Sequence, residues 1–118
     1  MALETSILKT IKQMLGIEPS VTHFDEEIKV GINSAFADLH QLGVGPDDAF
    51  VIIDDQATWA QFIGSVKNID SVKTYVYLSV RLVFDVPTTS FVIQSFEKRK
   101  EELGWRLNVE LEGVRHPL

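Results

Sequence analysis

The chain has no cysteine. Disulfides and thiolate chemistry are therefore excluded, and the absence fits a reducing compartment. No apolar run approaches the roughly 20 residues that a membrane-spanning helix needs. The first residues, MALETSILKTIKQMLG, lack the long apolar stretch and small-residue cleavage site of a secretory signal. Basic residues are scarce: 11 Lys and Arg stand against 17 Asp and Glu, a formal charge of −6. Nucleic-acid binding draws on clustered Lys and Arg that release counterions, so a DNA-reading role is disfavoured. His23, His40 and His116 lie far apart, and none has metal-ligand spacing to another. No internal repeat or low-complexity tract is present.

What is there suffices for one folded domain: 118 residues, 45% of them hydrophobic and 24% charged. Periodicity then marks helices. Leu3, Ile7, Leu8, Ile11, Met14 and Leu15 share one face, with Lys9 and Lys12 off it, and Gly16 stops the run. Two lysines beside Glu4 are too few for a membrane-surface helix, so this helix is expected to dock on the core. Thr22 is the expected N-cap of a second helix, with Asp25 as its capping-box acid. The core face of that helix is Phe24, Ile28, Ile32, Ala35, Phe36 and Leu39, and it ends near Leu42 and Gly43. GVGPDD is turn chemistry. The run AFVII has no evident strand partner and reads as a buried extended segment. Thr58 followed by Gln61 opens a short third helix with Trp59, Phe62 and Ile63 on its apolar side, ended by Gly64.

The stretch 69–84, IDSVKTYVYLSVRLVF, is apolar on almost every side. Asp70, Lys73, Tyr77, Arg81 and Asp85 form one narrow polar stripe of period 3.6. Its length and period favour a helix over a strand. A helix this apolar is the one that others wrap around. Pro87 prevents its continuation. A fifth helix is expected over 90–111, with Phe96, Leu103, Leu107 and Leu111 inward and a gap at Arg99 and Lys100. Ion pairs of Lys98 with Glu102 and of Glu102 with Arg106 are expected on it, and Gly113 is its expected terminator. The expected fold is all-α: a single compact bundle of four longer helices plus one short helix. The helical domain would cover 1–112, with a flexible C-terminal tail over 113–118.

No catalytic constellation is visible. His23 with Asp25 and Glu26 reads as a helix start, an end that favours anions over cations. The G-x-G in LGVGPDD lacks a leading strand and a third glycine, so it reads as a turn. Asp47 with Asp48, and Asp54 with Asp55, are adjacent acids that do not converge by themselves. No catalytic residue, metal ligand or cofactor is assigned. Two residues carry open alternatives. Arg81 sits on the most apolar helix and needs a carboxylate, for which Asp85 is nearest. Either that pair fixes the fifth helix against the fourth, or the stripe of Lys73, Tyr77 and Arg81 meets a neighbouring subunit. Trp105 lies off the line of Phe96, Leu103 and Leu107. It belongs either to a wide apolar face or to a subunit contact.

The ordered pieces THFDEEI, INSAF, LHQLGVGP, ATWAQFIG, VKTYVYLSVRLVFDVPTTSFVI and EELGWRLN resemble the head–tail connector (adaptor) proteins of tailed bacteriophages. In particular the chain resembles the short connectors of phages and prophages of Gram-positive bacteria, over roughly residues 5–110. DVP stands where DPP is expected, which slightly loosens that turn. The resemblance implies a non-enzymatic virion protein of the neck, assembled in the host bacterial cytoplasm. It implies a dodecameric ring beneath the portal protein that extends the DNA channel and docks head-closure (stopper) or tail-completion proteins. Helix faces would meet ring neighbours, making Lys73, Tyr77, Arg81 and Trp105 subunit-interface candidates. The C-terminal segment would grip the portal protein, making Leu111, Val114, Arg115, His116 and Leu118 portal-binding candidates. DNA would slide through without specific binding, which suits a net negative charge, and no membrane is involved. The alternatives are another phage neck or tail-completion protein of related fold, and a small metal-dependent protein using the acidic loop 47–55.

Overall fold

The computed structural model describes residues 6–46, 50–63, 69–84 and 86–115. They form five helices: α1 (Ile7–Met14), α2 (Asp25–Gln41), α3 (Trp59–Ile63), α4 (Ile69–Val83) and α5 (Ser90–Arg115). Among the described residues the only β pairing is an isolated bridge between Ser6 and Thr58. The expected all-α bundle of four longer helices and one short one is the observed fold. α4 is its centre and packs against α1, α2 and α5. Val72, Tyr75, Val76, Leu78, Ser79 and Val80 of α4 are all buried. They meet Ile28, Ile32, Ala35, Phe36 and Leu39 of α2, Ile7 and Ile11 of α1, and Leu103 and Leu107 of α5 in one core.

Helix ends follow local chemistry. Ser6 caps α1 by accepting from the Lys9 N–H at 3.3 Å, while its hydroxyl donates to the Asp55 carbonyl at 2.7 Å. α1 and α2 each end in a Schellman pair. Ile17 N–H reaches Lys12 O and Gly16 N–H reaches Gln13 O; Val44 N–H reaches Leu39 O and Gly43 N–H reaches His40 O. Both motifs put glycine in the left-handed region, Gly16 at φ 78° and Gly43 at φ 82°. The expected capping box of α3 is present: Gln61 N–H donates to Thr58 Oγ1 at 3.3 Å, and Thr58 N–H to Gln61 Oε1 at 3.0 Å.

Several expectations are corrected. Lys12 does not face solvent. It is 2% exposed, and its ammonium donates to the carbonyls of Pro19 (3.1 Å) and Val21 (2.6 Å). Asp25 Oδ1 lies 2.9 Å from the same nitrogen. The loop after α1 folds back over the helix, so a position off the apolar face is still covered. Asp25 thus serves Lys12 instead of a capping box. Phe24, not Thr22, occupies the cap of α2, without a side-chain bond. Phe24 is 37% exposed and rests edge-on against Phe84 at 5.5 Å, and Met14, at the end of α1, is also exposed. Glu102 sits 3.5 Å from Arg99 rather than against Lys98 or Arg106. Gly113 does not terminate α5, which runs on to Arg115. The expected stop at Gly64, and Asp47, Asp48 and Leu3, lie outside the described residues.

The segment 50–53 finds its partner in a side chain. The Asn33 amide accepts from Ile52 N–H at 2.7 Å and donates to Ile52 O at 3.0 Å, pairing both backbone groups as a strand neighbour does. Ile52 is thereby buried while Val51 and Ile53 point outward.

Two stability outcomes are expected. Lys12→Met strips two carbonyls and a carboxylate of their partner and should cost about 3 kcal/mol. Asp25→Asn leaves the carbonyl bonds in place and should cost about 1–2 kcal/mol. Urea unfolding that gives the reverse order would contradict the clamp. Gly45 has φ 100°, and a Cβ there would stand 2.6 Å from Phe62 Cε1; at Gly16 (φ 78°) a Cβ meets nothing within 4 Å. Gly16→Ala should therefore cost about 1 kcal/mol of backbone strain, and Gly45→Ala about 1–3 kcal/mol more from overpacking. Equal losses in thermal melts would refute the contact with Phe62.

Candidate assembly surface

α4 turns its polar stripe to the outer edge of the bundle. Lys73, Tyr77 and Arg81 are each half-buried. The Arg81 Nη1 donates to the Tyr77 hydroxyl at 3.0 Å, and its guanidinium lies 5.4 Å from the Phe96 ring centroid and 6.0 Å from that of Tyr77. Phe96 belongs to α5, so this cation ties the two helices together through aromatic faces. Asp85, the expected carboxylate partner, lies outside the described residues. Lys73 stands 5.8 Å from the Trp59 ring centroid. The structure brings Lys73, Tyr77 and Arg81 onto one edge, and each cation there has an aromatic neighbour from its own chain.

Trp105 is elsewhere. The wide-face reading fails, because the side chain is 68% exposed. At about 100° per residue it stands about 200° round the helix from Leu103. The inward face of α5 is narrow: Phe96, Lys100, Leu103 and Leu107, with Gly104 allowing close approach to Leu42 and Tyr75. Lys100 reaches Asp38 of α2 at 3.4 Å across the Tyr75 ring, and Asn108 Nδ2 donates to Leu42 O at 2.6 Å. The outward face carries Trp105, Val109 one turn further on, and Phe91 (76% exposed) near the start of the helix. A shallow groove of about 520 Å³ runs along it, lined by Lys98, Glu101, Glu102, Trp105 and Arg106.

A second exposed apolar cluster lies where α2 begins and α4 ends. Val30, Val83 and Phe84, with Glu27, line a groove of about 360 Å³. Val30 and Val83 are both more than two-thirds exposed. Sequence reasoning counted Val83 only among the apolar residues of α4 and did not single out Val30, Phe91 or Val109. The last two share an azimuth with Trp105 at i, i+14 and i+18, a spacing visible in the sequence once the inward face is known.

Of the portal-binding candidates, Leu111, Val114 and Arg115 fall in the last turns of α5, while His116 and Leu118 lie outside the described residues. In the acidic loop, Asp54 accepts from Gln56 N–H at 2.9 Å, and Asp55 stands 3.8 Å from Lys9. Among the described residues no group of three or more His, Asp or Glu could hold a metal ion. No helix there is long and apolar enough to cross a membrane.

Burial, with a smaller contribution from the Asp38 charge, pushes the Tyr75 hydroxyl up from 10.0 to about 12. The phenol is protonated in both states below pH 10, so its contribution is intact there. Between pH 10 and 12 the unfolded chain loses the proton first, and stability falls by on the order of 1 kcal/mol per pH unit. Tyr75→Phe should remove that slope from alkaline urea unfolding; an unchanged slope would place the hydroxyl in water.

No curated protein and no solved structure matches the chain. A family model described as phage connector protein matches residues 7–114. That span includes α1 to α4, all of α5 but Arg115, and the groove between α2 and α4. The chain belongs to the phage connector proteins, structural components that join phage heads to tails.

Proposed function

We propose that this protein is a ring-forming head–tail connector of a phage or prophage of Gram-positive bacteria. Copies assemble as a dodecamer beneath the portal protein, extend the DNA channel and dock head-closure or tail-completion proteins. The role is structural and non-enzymatic, and the assembled protein resides in the virion neck. The observation that carries this reading is the connector family match over residues 7–114. The C-terminal residues Leu111, Val114, Arg115, His116 and Leu118 grip the portal protein in this reading. Lys73, Tyr77, Arg81 and Trp105 serve contacts between subunits. The net charge of −6 suits a channel through which DNA slides.

Native mass spectrometry of the protein alone and with its portal protein tests the assignment. A ring, or a monomer that becomes a twelve-copy ring on the portal, is the expected outcome. A persistent monomer that ignores the portal protein would overturn it. Deleting residues 112–118 should abolish portal binding while the helical circular dichroism is retained. Undiminished binding would move the grip away from the C-terminus.

A further inference from the structure

Asn33 pairs one edge of the segment 50–53 and leaves the other open. In an extended chain, side chains alternate between two faces, and the N–H and C=O groups of successive residues alternate between two edges. Phe50 packs on Phe36 and Phe62, and Ile52 is buried, so these two face the core. Val51 and Ile53 face outward, 63% and 80% exposed. Both backbone groups of Ile52 are held by Asn33, and the Ile53 carbonyl accepts from Lys29 Nζ at 3.0 Å. Lys29 and Asn33 stand one turn apart on α2, so the helix fixes the segment at two points. Among the described residues nothing bonds the N–H or C=O of Val51 or the N–H of Ile53. By the alternation of an extended chain, these three groups lie on the edge turned away from Asn33.

The result is a short preformed strand with one free edge and two exposed β-branched side chains beside it. Backbone groups that alternate along such an edge are matched by another extended chain, because a helix spends its own N–H and C=O groups internally. The edge therefore selects a strand. Charge selects which kind. From residue 46 to residue 66 the sequence holds four aspartates, Asp47, Asp48, Asp54 and Asp55, and no lysine or arginine. The bases that reach the segment are already engaged, Lys29 with Glu26 at 2.7 Å and Lys9 with Asp55 at 3.8 Å. A second copy of the segment would bring acid against acid in either strand direction, which opposes self-pairing. A strand bearing Lys or Arg meets attraction instead.

We propose that the open edge of 51–53 takes up an extended apolar segment of another protein, flanked by Lys or Arg, as an added strand. The incoming backbone bonds to Val51 and Ile53, its β-branched side chains lie beside theirs, and its bases face Asp54 and the neighbouring acids. Because the edge is already extended, little ordering is left to oppose binding. Under the connector role the strand would belong to one of the docked proteins, but the pairing itself does not depend on that role.

The probe is the end-blocked peptide Lys-Val-Thr-Val-Thr-Lys, titrated to millimolar concentration into isotope-labelled protein and followed by amide NMR. Saturating peptide should slow exchange of the Val51 and Ile53 amides by about tenfold, while the Ile52 amide, already bonded to Asn33, stays unchanged. The same peptide N-methylated throughout cannot donate along either edge and should protect neither amide. Glu-Val-Thr-Val-Thr-Glu should bind about fivefold more weakly or worse, and Asp54→Lys, at an exposed position, should narrow that gap. Protection by the N-methylated peptide, shifts centred on another surface, or no response at millimolar peptide would each overturn the added strand. Equal binding of the two charged peptides would overturn the choice of occupant. So would protection of Val51 and Ile53 that grows with protein concentration in the absence of peptide, since a second copy would then hold the edge. None of these outcomes bears on loading onto the portal protein, so the connector role stands or falls separately.

Discussion

More than half of α4 must be covered by other helices, and the rest of the bundle is arranged around that constraint. Its buried positions, from Val72 to Val80, cover more than half the circumference. One neighbouring helix covers only a stripe, so several are needed. α2 approaches most closely at Gly31, where a Cβ would stand 3.2 Å from Val80 Cγ2. α5 approaches from the other side at Gly104, and α1 closes a third side with Ile7 and Ile11. Each such side chain brings about 1.5–3 kcal/mol when fully buried. The strongest apolar faces are therefore consumed on α4. The long helix α5 contributes a narrow inward stripe, and its opposite face stays open to a partner.

The irregular segments are held by a different device. Lys12 binds the carbonyls of Pro19 and Val21, Asn33 binds both backbone groups of Ile52, and Asn108 binds the carbonyl of Leu42. In each case a helical side chain supplies the backbone partner that a sheet or helix would otherwise provide. A buried loop without such partners would carry unsatisfied polar groups at about 1–3 kcal/mol each. Lys12 is the demanding case, because its charge is enclosed as well. Its two carbonyls and the nearby carboxylate of Asp25 together replace the water it gives up.

Much of this fold was legible in the sequence because it rests on period and capping. The core face of α2, apart from Phe24, and the Thr58–Gln61 box follow from spacing alone. Lys12 and Asn33 were not legible, since their partners lie in loops whose path is a tertiary matter. Thr22 was a sound cap by local chemistry, but the pull of Lys12 on Asp25 reorganised that helix start. For the candidate surface, Trp105 was marked by its position off the inward line, although its exposure was left open. Val83 was hidden by the uniformity of α4, where a helical wheel cannot say which apolar residue lacks cover. Val30 was hidden because a lone valine among polar neighbours carries no pattern. Gly113 misled because helix continuation depends on more than one residue's propensity, and about 1 kcal/mol against helix is easily outweighed.

The same features bear on when subunits should associate. Trp105 stands among Lys98, Glu101, Glu102 and Arg106, so its apolar area is broken by charge and offers one anchor instead of a broad sticky patch. Every chain also brings six net negative charges, which repel across the Debye length of about 8 Å at physiological ionic strength. A single anchor opposed by like charge makes a weak pairwise contact. In the proposed twelve-copy ring such contacts would act together, and a template that already holds the subunits would raise their effective concentration to about the millimolar range. Under the proposed role, the balance between anchor and repulsion restricts assembly to the portal vertex. A stronger apolar patch would sacrifice that control by letting rings or filaments form free in solution.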